Sequence, residues 1–580
     1  MKALKNVLFV FVLVVMIVPS LQKELNFVND SPLNGDFVEY DKPEFGWSSF
    51  YKGSFQTVYD QYLEQHVGFH NTLVRIKNQL DYSLFRKPNA EGIVIGKKDF
   101  IFEYDYIREL TGRDYVGYEF IDEKLRRLKY VQKYLKKTKN IDLVIVFLPG
   151  KASYYQEYLP DKYLIVKQET NNYTTYLNEI MKRRIRYVDL NQYFHQIKAE
   201  SPYPLFPKYG THWSIYGMSK AAHVILDSIE QFRDKKLNEF NTDSMYYSTL
   251  PLRTNYDGGK ALNLIENLST EKFAYPNYVF GQDSNRYKPK VLTIGDSFFW
   301  NFFNANIPIN IFANEAFWYY NSKIYPDFYT RPKYTSEISL KEEVEHMDVI
   351  LIMVTERFLN IFDWGLIDQL YYLYTPEYIK NPIYDYMNKI VLVPEWYTSL
   401  LSEALAKGTT NEQELHTNAK HMYQKSQNND FMSEFGMEVY KDYYRSSKEL
   451  ELMLRKKAVQ NNLTYEKMLE KEAGYLFKLR QPDIHKKYSS IHKYIGQMKN
   501  DSIALDSISV LAKKYYCKPE NMIRYQAKRM LAEDDIQDKI KLILSDDNWT
   551  KNLKEKARKK NISFEEMFRK DALYLLQQNK

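Results

Sequence analysis

A chain of 580 residues has room for two or three domains, each with its own core. Its net charge of +7 comes from 81 basic and 74 acidic residues interspersed along helical segments, which excludes a nucleic-acid protein working through a concentrated basic face. The single cysteine, Cys517, excludes an internal disulfide and reads as a helix-face packing residue. The 52 Tyr and 33 Phe suit either stacking platforms for carbohydrate or a plain compositional bias, and the bias is the simpler reading.

In chain order, Lys2 and Lys5 precede an apolar run from Val7 to Val18 and then Pro19-Ser20-Leu21. Residues 1–21 are thus an export signal or an N-terminal membrane anchor, with the uncleaved anchor preferred, and the body lies outside the cytoplasm. Residues 22–53 are polar, contain Pro32, Gly35 and Pro43, and read as a stalk. Apolar residues near 3.6 spacing predict helix from Ser54 to Phe85, and 92–102 predicts a hairpin with its turn at Gly96 to Asp99. A helix over 122–136 leads into a buried strand over 141–148, ended by Pro149-Gly150-Lys151. A second unit repeats this with a helix over 174–184 and a strand over 186–190. Helix 215–232 follows the loop at His212, and 236–288 is turn-rich and reads as an insertion. Buried strands then run into Gly295-Asp296-Ser297 and Thr355-Glu356-Arg357. Strands alternating with helices over 54–395 predict an α/β fold, a doubly wound parallel sheet with its site at the strand C-terminal ends.

Beyond residue 395 the strands stop and an internal repeat begins. Ala557, Asn561, Ser563, Glu565, Met567, Ala572 and Tyr574 match Ala458, Asn462, Thr464, Glu466, Met468, Ala473 and Tyr475 at an offset of 99. Ala512, Glu520, Met522 and Ala527 stand about halfway, and Ala404, Glu412 and Ala419 form a weaker copy. Residues 396–580 therefore predict an all-α array of four helical pairs, an architecture more often used for binding or packing than for catalysis.

The chemistry converges on two stretches. A strand ending in Gly295-Asp296-Ser297 lifts one hydroxyl to the top of a sheet, although the tripeptide alone is common and serine also caps helices. Tyr209-Gly210-Thr211-His212-Trp213-Ser214 is a polar loop whose histidine can serve that hydroxyl as base. Asp296 is expected to hydrogen-bond the turn's backbone, and the Ser297 amide to act as an oxyanion donor. Lys151 is either a substrate contact or a solvated side chain, and Trp213 either a sugar platform or a packing residue. No His, Cys and carboxylate cluster has metal spacing, so neither a metal nor a cofactor is expected.

Five features taken in order, Gly96-Lys97 to Ile101-Phe102, Leu148-Pro149-Gly150-Lys151, Thr211-His212-Trp213, Gly295-Asp296-Ser297-Phe298 and Glu356-Arg357, resemble the SGNH-like alginate O-acetyltransferase family over roughly residues 50 to 395. The resemblance implies an SGNH-hydrolase-like domain in a membrane-associated, extracytoplasmic (periplasmic) enzyme that O-acetylates a polysaccharide. It further implies a multispanning membrane O-acyltransferase as the partner supplying acetyl groups, with Ser297 as the acetyl-carrying nucleophile and His212 as the base. Gly295, Asp296, Thr211, Trp213, Lys151 and Arg357 fall in its oxyanion and substrate positions. This chain departs from the family's Asp-Thr-His-Trp pattern, since Gly210 stands where the triad acid belongs. Glu356 and Asp189, both at strand ends, are the candidate replacements; for Glu356-Arg357 a salt bridge or substrate contact is the preferred reading. A Ser-His dyad or an impaired site also remains open, as do a carbohydrate acetyl-esterase using the same residues and a catalytically silent polysaccharide-binding or assembly subunit.

Overall fold

The continuous apolar runs become the inner strands of one sheet in the computed structural model, which describes residues 2–35 and 38–578. Residues 36 and 37, within the predicted stalk, lie outside the described residues. Strands β1 (Asp142–Leu148), β3 (Val291–Gly295) and β6 (Val349–Thr355) are buried at every position, as strands covered on both faces must be. The shorter β2 (Tyr187–Asp189), β4 (Phe317–Tyr319) and β5 (Lys323–Tyr325) complete the order β2-β1-β6-β3-β4-β5. All neighbours run parallel except β5, which is antiparallel to β4 and makes the sheet mixed at that edge. This is the predicted α/β sheet. Parallel pairing brings the segments that follow β1, β6 and β3 to one edge, so Lys151, Glu356, Arg357 and Ser297 start from neighbouring strand ends.

The chain forms two compact units. The first holds residues 1–115, 140–174 and 186–362, including this sheet. It begins with α1 (Lys2–Leu25), α2 (Trp47–Tyr51), α3 (Ser54–His66) and α4 (His70–Phe85). The predicted hairpin is present as Ile93–Ile95 paired with Ile101–Glu103. The stretch read as a turn-rich insertion is more ordered than expected. It contains an antiparallel ribbon, Phe240–Ser248 with Phe273–Phe280, whose first strand is exposed along most of its length and so lacks an apolar signature.

The second unit holds residues 116–139, 175–185 and 363–580. The sequence places the boundary at 395/396, whereas α5 (Tyr118–Lys139) groups with the later helices for an electrostatic reason. Its fully buried Lys124 reaches Asp363 at 2.7 Å and Asp368 at 2.5 Å, and the buried Arg127 reaches Asp368 and Asp385, each at 3.1 Å. Removing one member of such a network strands the others in a dry site. Lys124→Met is therefore expected to lower unfolding stability by about 3–5 kcal/mol, measured by denaturant titration.

The repeat has a direct physical meaning in this unit. Its aligned alanines, Ala404 and Ala419, Ala458 and Ala473, Ala512 and Ala527, Ala557 and Ala572, are all buried, at 0–4 % exposure. Each pair sits on two consecutive helices, for example Lys448–Gln460 and Tyr465–Arg480, where a small side chain lets the helix surfaces approach. Two of the copies are followed by a further helix, Asn428–Arg445 and Pro482–Asn500, that the alanine pattern does not mark. Cys517 is buried, and burial pushes its thiol up to about 12, in keeping with a packing role.

Candidate active site

Strand β3 ends at Gly295, and the chain turns through Asp296 and Ser297 into the short helix Phe299–Asn304. The turn is built by Asp296, which is fully buried. Its carboxylate accepts from the Phe298 amide at 2.9 Å and from the Thr355 amide and hydroxyl, at 3.1 and 2.6 Å, at the end of β6. Asp296 is thus a backbone organiser, as the sequence suggests. The Phe299 amide bonds to Asp296 O; the Ser297 amide makes no hydrogen bond among the described residues and can face a developing oxyanion. Ser297 itself is half-buried and presents its hydroxyl to His212, with Nε2 to Oγ at 2.7 Å.

His212 lies in the loop before helix Ile215–Arg233, which Ser214 caps by accepting from the Gly217 amide at 2.9 Å. Its second ring nitrogen, Nδ1, donates to Asp257 Oδ2. A carboxylate can only accept, so Nδ1 carries the proton and Nε2 is left as an acceptor for the serine hydroxyl. Asp257 opens the short helix Asp257–Ala261 between the strands of the ribbon. Its carboxylate is saturated: Oδ1 accepts from the Thr211 and Gly258 amides at 2.6 and 2.7 Å, and Oδ2 from the Thr211 hydroxyl at 3.1 Å. Ser297, His212 and Asp257 form an unbroken chain of hydrogen bonds able to carry a proton from the serine to the imidazole.

The carboxylate that meets His212 is therefore neither of the two that the sequence suggests. Glu356 accepts from the Ser153 hydroxyl at 2.8 Å, and its burial pushes it up to about 8, so it holds a proton at neutral pH. Asp189 caps the helix Leu190–Ile197 through the Gln192 amide and accepts from Tyr173. Position 210 has no room for an acid in this loop. A Cβ there would stand 2.3 Å from Pro207 Cγ and 2.8 Å from Thr254 O, so no side chain fits at that place in the loop. The missed residue had little signal: Asn255-Tyr256-Asp257-Gly258-Gly259 reads as one more turn in a stretch full of them.

Electrostatics fit the geometry. Burial works to lower the His212 pKa, and the charge and hydrogen bond of Asp257 more than restore it, leaving it above the ordinary 6.5. Burial would raise Asp257, but the His212 charge and hydrogen bond and the two amides hold it below the usual carboxylate range.

Lys151 is neither solvated nor open to a substrate: it is 1 % exposed, and its ammonium donates to Lys208 O at 2.8 Å and Gly210 O at 2.7 Å, which pins the His212 loop from below. Burial pushes its pKa down to about 7 from the ordinary 10.5. Lys151→Met leaves two buried carbonyls without their donor, at a cost of about 1–3 kcal/mol each in denaturant unfolding. Since the unfolded chain binds the extra proton between about 7 and 10.5, Lys151's contribution to stability rises with pH across that window. The gap between wild type and variant is expected to widen there.

The remaining candidates divide. Thr211 belongs to the Asp257 cradle. Trp213 is fully buried, with its ring centroid 5.2 Å from that of Phe298, and is a packing residue, not a sugar platform. Arg357 pairs with Glu103 at 2.6 Å and lies against the Tyr106 and Phe358 rings, which is the salt-bridge reading. The Gly295 carbonyl accepts from the Tyr320 amide at 3.0 Å and tethers β3 to the loop after β4.

Solved structures similar to this chain include the O-acetyltransferase domain of Pseudomonas putida AlgJ. It is 18 % identical, covers 49 % of this chain and 99 % of its own, and has a TM-score of 0.32. Pseudomonas aeruginosa AlgX is 16 % identical over 48 % of this chain and 67 % of its own, also at 0.32. Bacillus cereus PatB1 is 11 % identical over 46 % and 96 %, at 0.28. No curated protein sequence matches the chain. The family model that does match, over residues 93–285 and hence across both His212 and Asp257, is described as the SGNH hydrolase-like domain of the acetyltransferase AlgX, and the chain resembles that family as its motifs imply.

Proposed function

We propose that this chain is an extracytoplasmic O-acetyltransferase that moves an acetyl group through Ser297 onto hydroxyls of a polysaccharide. The observation that carries the reading is the hydrogen-bonded series Ser297, His212, Asp257, complete although Gly210 has replaced the family's acid. Ser297 Oγ attacks the acetyl carbonyl as His212 Nε2 takes its proton, and the Ser297 amide faces the developing oxyanion. The donor's leaving group departs with the proton that His212 returns, and acetyl-Ser297 remains. A sugar hydroxyl then gives its proton to His212 and attacks the acetyl-serine, and His212 passes that proton to the departing Ser297 Oγ, restoring the Ser297 hydroxyl and the neutral imidazole. Asp257 stays ionised and stabilises the imidazolium in both halves. With water as acceptor the same steps make a carbohydrate acetyl-esterase. The intact series weighs against a silent binding subunit.

The N-terminus supports membrane attachment. Helix Ala3–Leu25 is apolar and long enough to cross a bilayer, and its apolar run from Val7 to Ile17 is exposed along its whole length. In this reading it anchors the enzyme to the inner membrane with the body in the periplasm, and a multispanning membrane acyltransferase delivers the acetyl group. The test is mass analysis of the chain after exposure to an activated acetyl ester, then to an oligosaccharide. Acetyl on Ser297 that passes to the sugar supports the transferase, acetyl lost to water equally fast with and without sugar supports the esterase, and an unmodified Ser297 in folded protein overturns both.

A further inference from the structure

Helix α4 has two opposite faces with different surroundings. Inward, Asn78 donates to Leu262 O at 3.0 Å, and Tyr82 joins Ile101, Tyr209, Tyr256 and Leu262 in a buried cluster. Tyr209 and Tyr256 are close neighbours in sequence of His212 and Asp257, so α4 braces the active-site loops from behind. Outward, Leu73, Ile76, Leu80 and Leu84 recur at helical spacing as one stripe, and they are 44, 40, 54 and 68 % exposed. A domain that faced only water on that side would carry polar residues there.

Two further observations indicate what covers the stripe. The end of the anchor helix α1 lies against the α3–α4 turn: a Cβ on Gly68 would stand 2.0 Å from Pro19 O and 2.8 Å from Lys23 N, and the Lys23 ammonium lies 5.8 Å from the centre of the Tyr62 ring of α3. The turn that starts α4 therefore lies against the last two turns of α1, the C-terminal end of the anchor in this reading. In the sequence between α1 and α4, Phe45, Trp47 and Tyr51 around α2 are 56, 67 and 80 % exposed, and Phe45 packs on Phe55 at the start of α3. Exposed aromatic rings on a segment that follows an apolar span are common occupants of a membrane–water interface.

We propose that the outer face of α4, together with the aromatic segment around α2, lies in the bilayer interface and seats the catalytic unit on the lipid surface. The stripe is a ridge on one helix, not a groove for a second one; Lys87 lies exposed near its end, long enough to bury its stem and reach the headgroups, while the exposed Lys77 is paired with Asp81 at 3.1 Å. The seat places the loops of His212 and Asp257 one helix away from the membrane, which shortens the path of an acetyl group arriving from it. The inference rests on the reading of α1 as a membrane anchor.

The test uses the full chain in nanodiscs of phosphatidylcholine and phosphatidylglycerol, with Cys517→Ser and one new cysteine carrying an environment-sensitive fluorophore. Labels at Leu73→Cys and Leu80→Cys are compared with one at Val12→Cys inside α1, and fluorescence is read with lipid-borne quenchers at the headgroup and along the acyl chain. The expected result is quenching at Val12 by deep quenchers, and at Leu73 and Leu80 a comparable loss of fluorescence to shallow ones. Quenching at Val12 with none at Leu73 and Leu80 overturns the seat but leaves the anchor standing, and it would also be the result if a second copy or a protein partner covers the stripe. Absence of quenching at Val12 overturns the anchor reading itself.

Discussion

Ser297→Ala is expected to abolish acetyl transfer, with kcat on an activated acetyl ester lower by about 10⁶, the scale seen when the nucleophile of a hydrogen-bonded triad is removed. His212→Ala should cost nearly as much. The double variant should be hardly worse than either single one, because the two side chains perform one step. Stability separates this result from unfolding. The alanine removes one hydrogen bond at a half-buried position, about 0.5–1.5 kcal/mol, and leaves Asp296 to hold the turn through Phe298 and Thr355. The measurements are initial rates, a melting curve, and mass analysis of the peptide containing residue 297. Acetyl found elsewhere at wild-type rate would remove Ser297 from the mechanism for transferase and esterase alike.

What the sequence makes legible follows the kind of signal each element leaves. β1, β3 and β6 are visible as unbroken apolar runs because a parallel strand covered on both faces has no polar positions to interrupt it. Ser297 and His212 are visible because a tight turn at a strand end and a polar loop before a capped helix are local features. Asp257 is not visible, because its role comes from a contact 45 residues away in sequence, reached across a ribbon whose first strand is mostly exposed. Lys151 is misread for a related reason. A lysine after a strand looks solvated until the His212 loop folds over it and supplies two carbonyls. The helical repeat is legible through its alanines, since close helix contacts demand small residues, while the helices Asn428–Arg445 and Pro482–Asn500 escape that pattern. The two-unit division is hidden because it depends on Lys124 and Arg127 meeting carboxylates more than two hundred residues later.

Asp257→Asn is the second large effect, and it bears on how the chain works without an acid at position 210. The amide can still accept from the Thr211 and Gly258 amides, so the loop should keep its shape, yet it no longer holds a negative charge against His212. An asparagine whose NH₂ faces Nδ1 favours the opposite tautomer, with the proton on Nε2, where it cannot receive one from Ser297; in serine-protease triads the same change costs about 10⁴ in kcat. The pH profile should move as well. His212 must be neutral to act as base, and Asp257 raises its pKa above 6.5, so wild-type kcat/KM rises with pH through that raised value. Without the carboxylate, burial dominates, and the acidic limb of the remaining activity is expected at lower pH. The stability linkage has a matching sign: protonated His212 paired with Asp257 stabilises the fold fully below pH 6.5, and this is lost as pH rises through the raised pKa. Glu356→Gln and Asp189→Asn should leave the limb in place, because neither side chain hydrogen-bonds His212. Gly210→Asp, the apparent restoration of the family motif, should not rescue Asp257→Asn. Its Cβ collides with Pro207 and with the Thr254 carbonyl, so the substitution displaces the loop that it would have to orient. A limb that stays put in Asp257→Asn but moves in Glu356→Gln would instead assign the acid to Glu356, whose buried carboxyl would then have to lose its proton to serve.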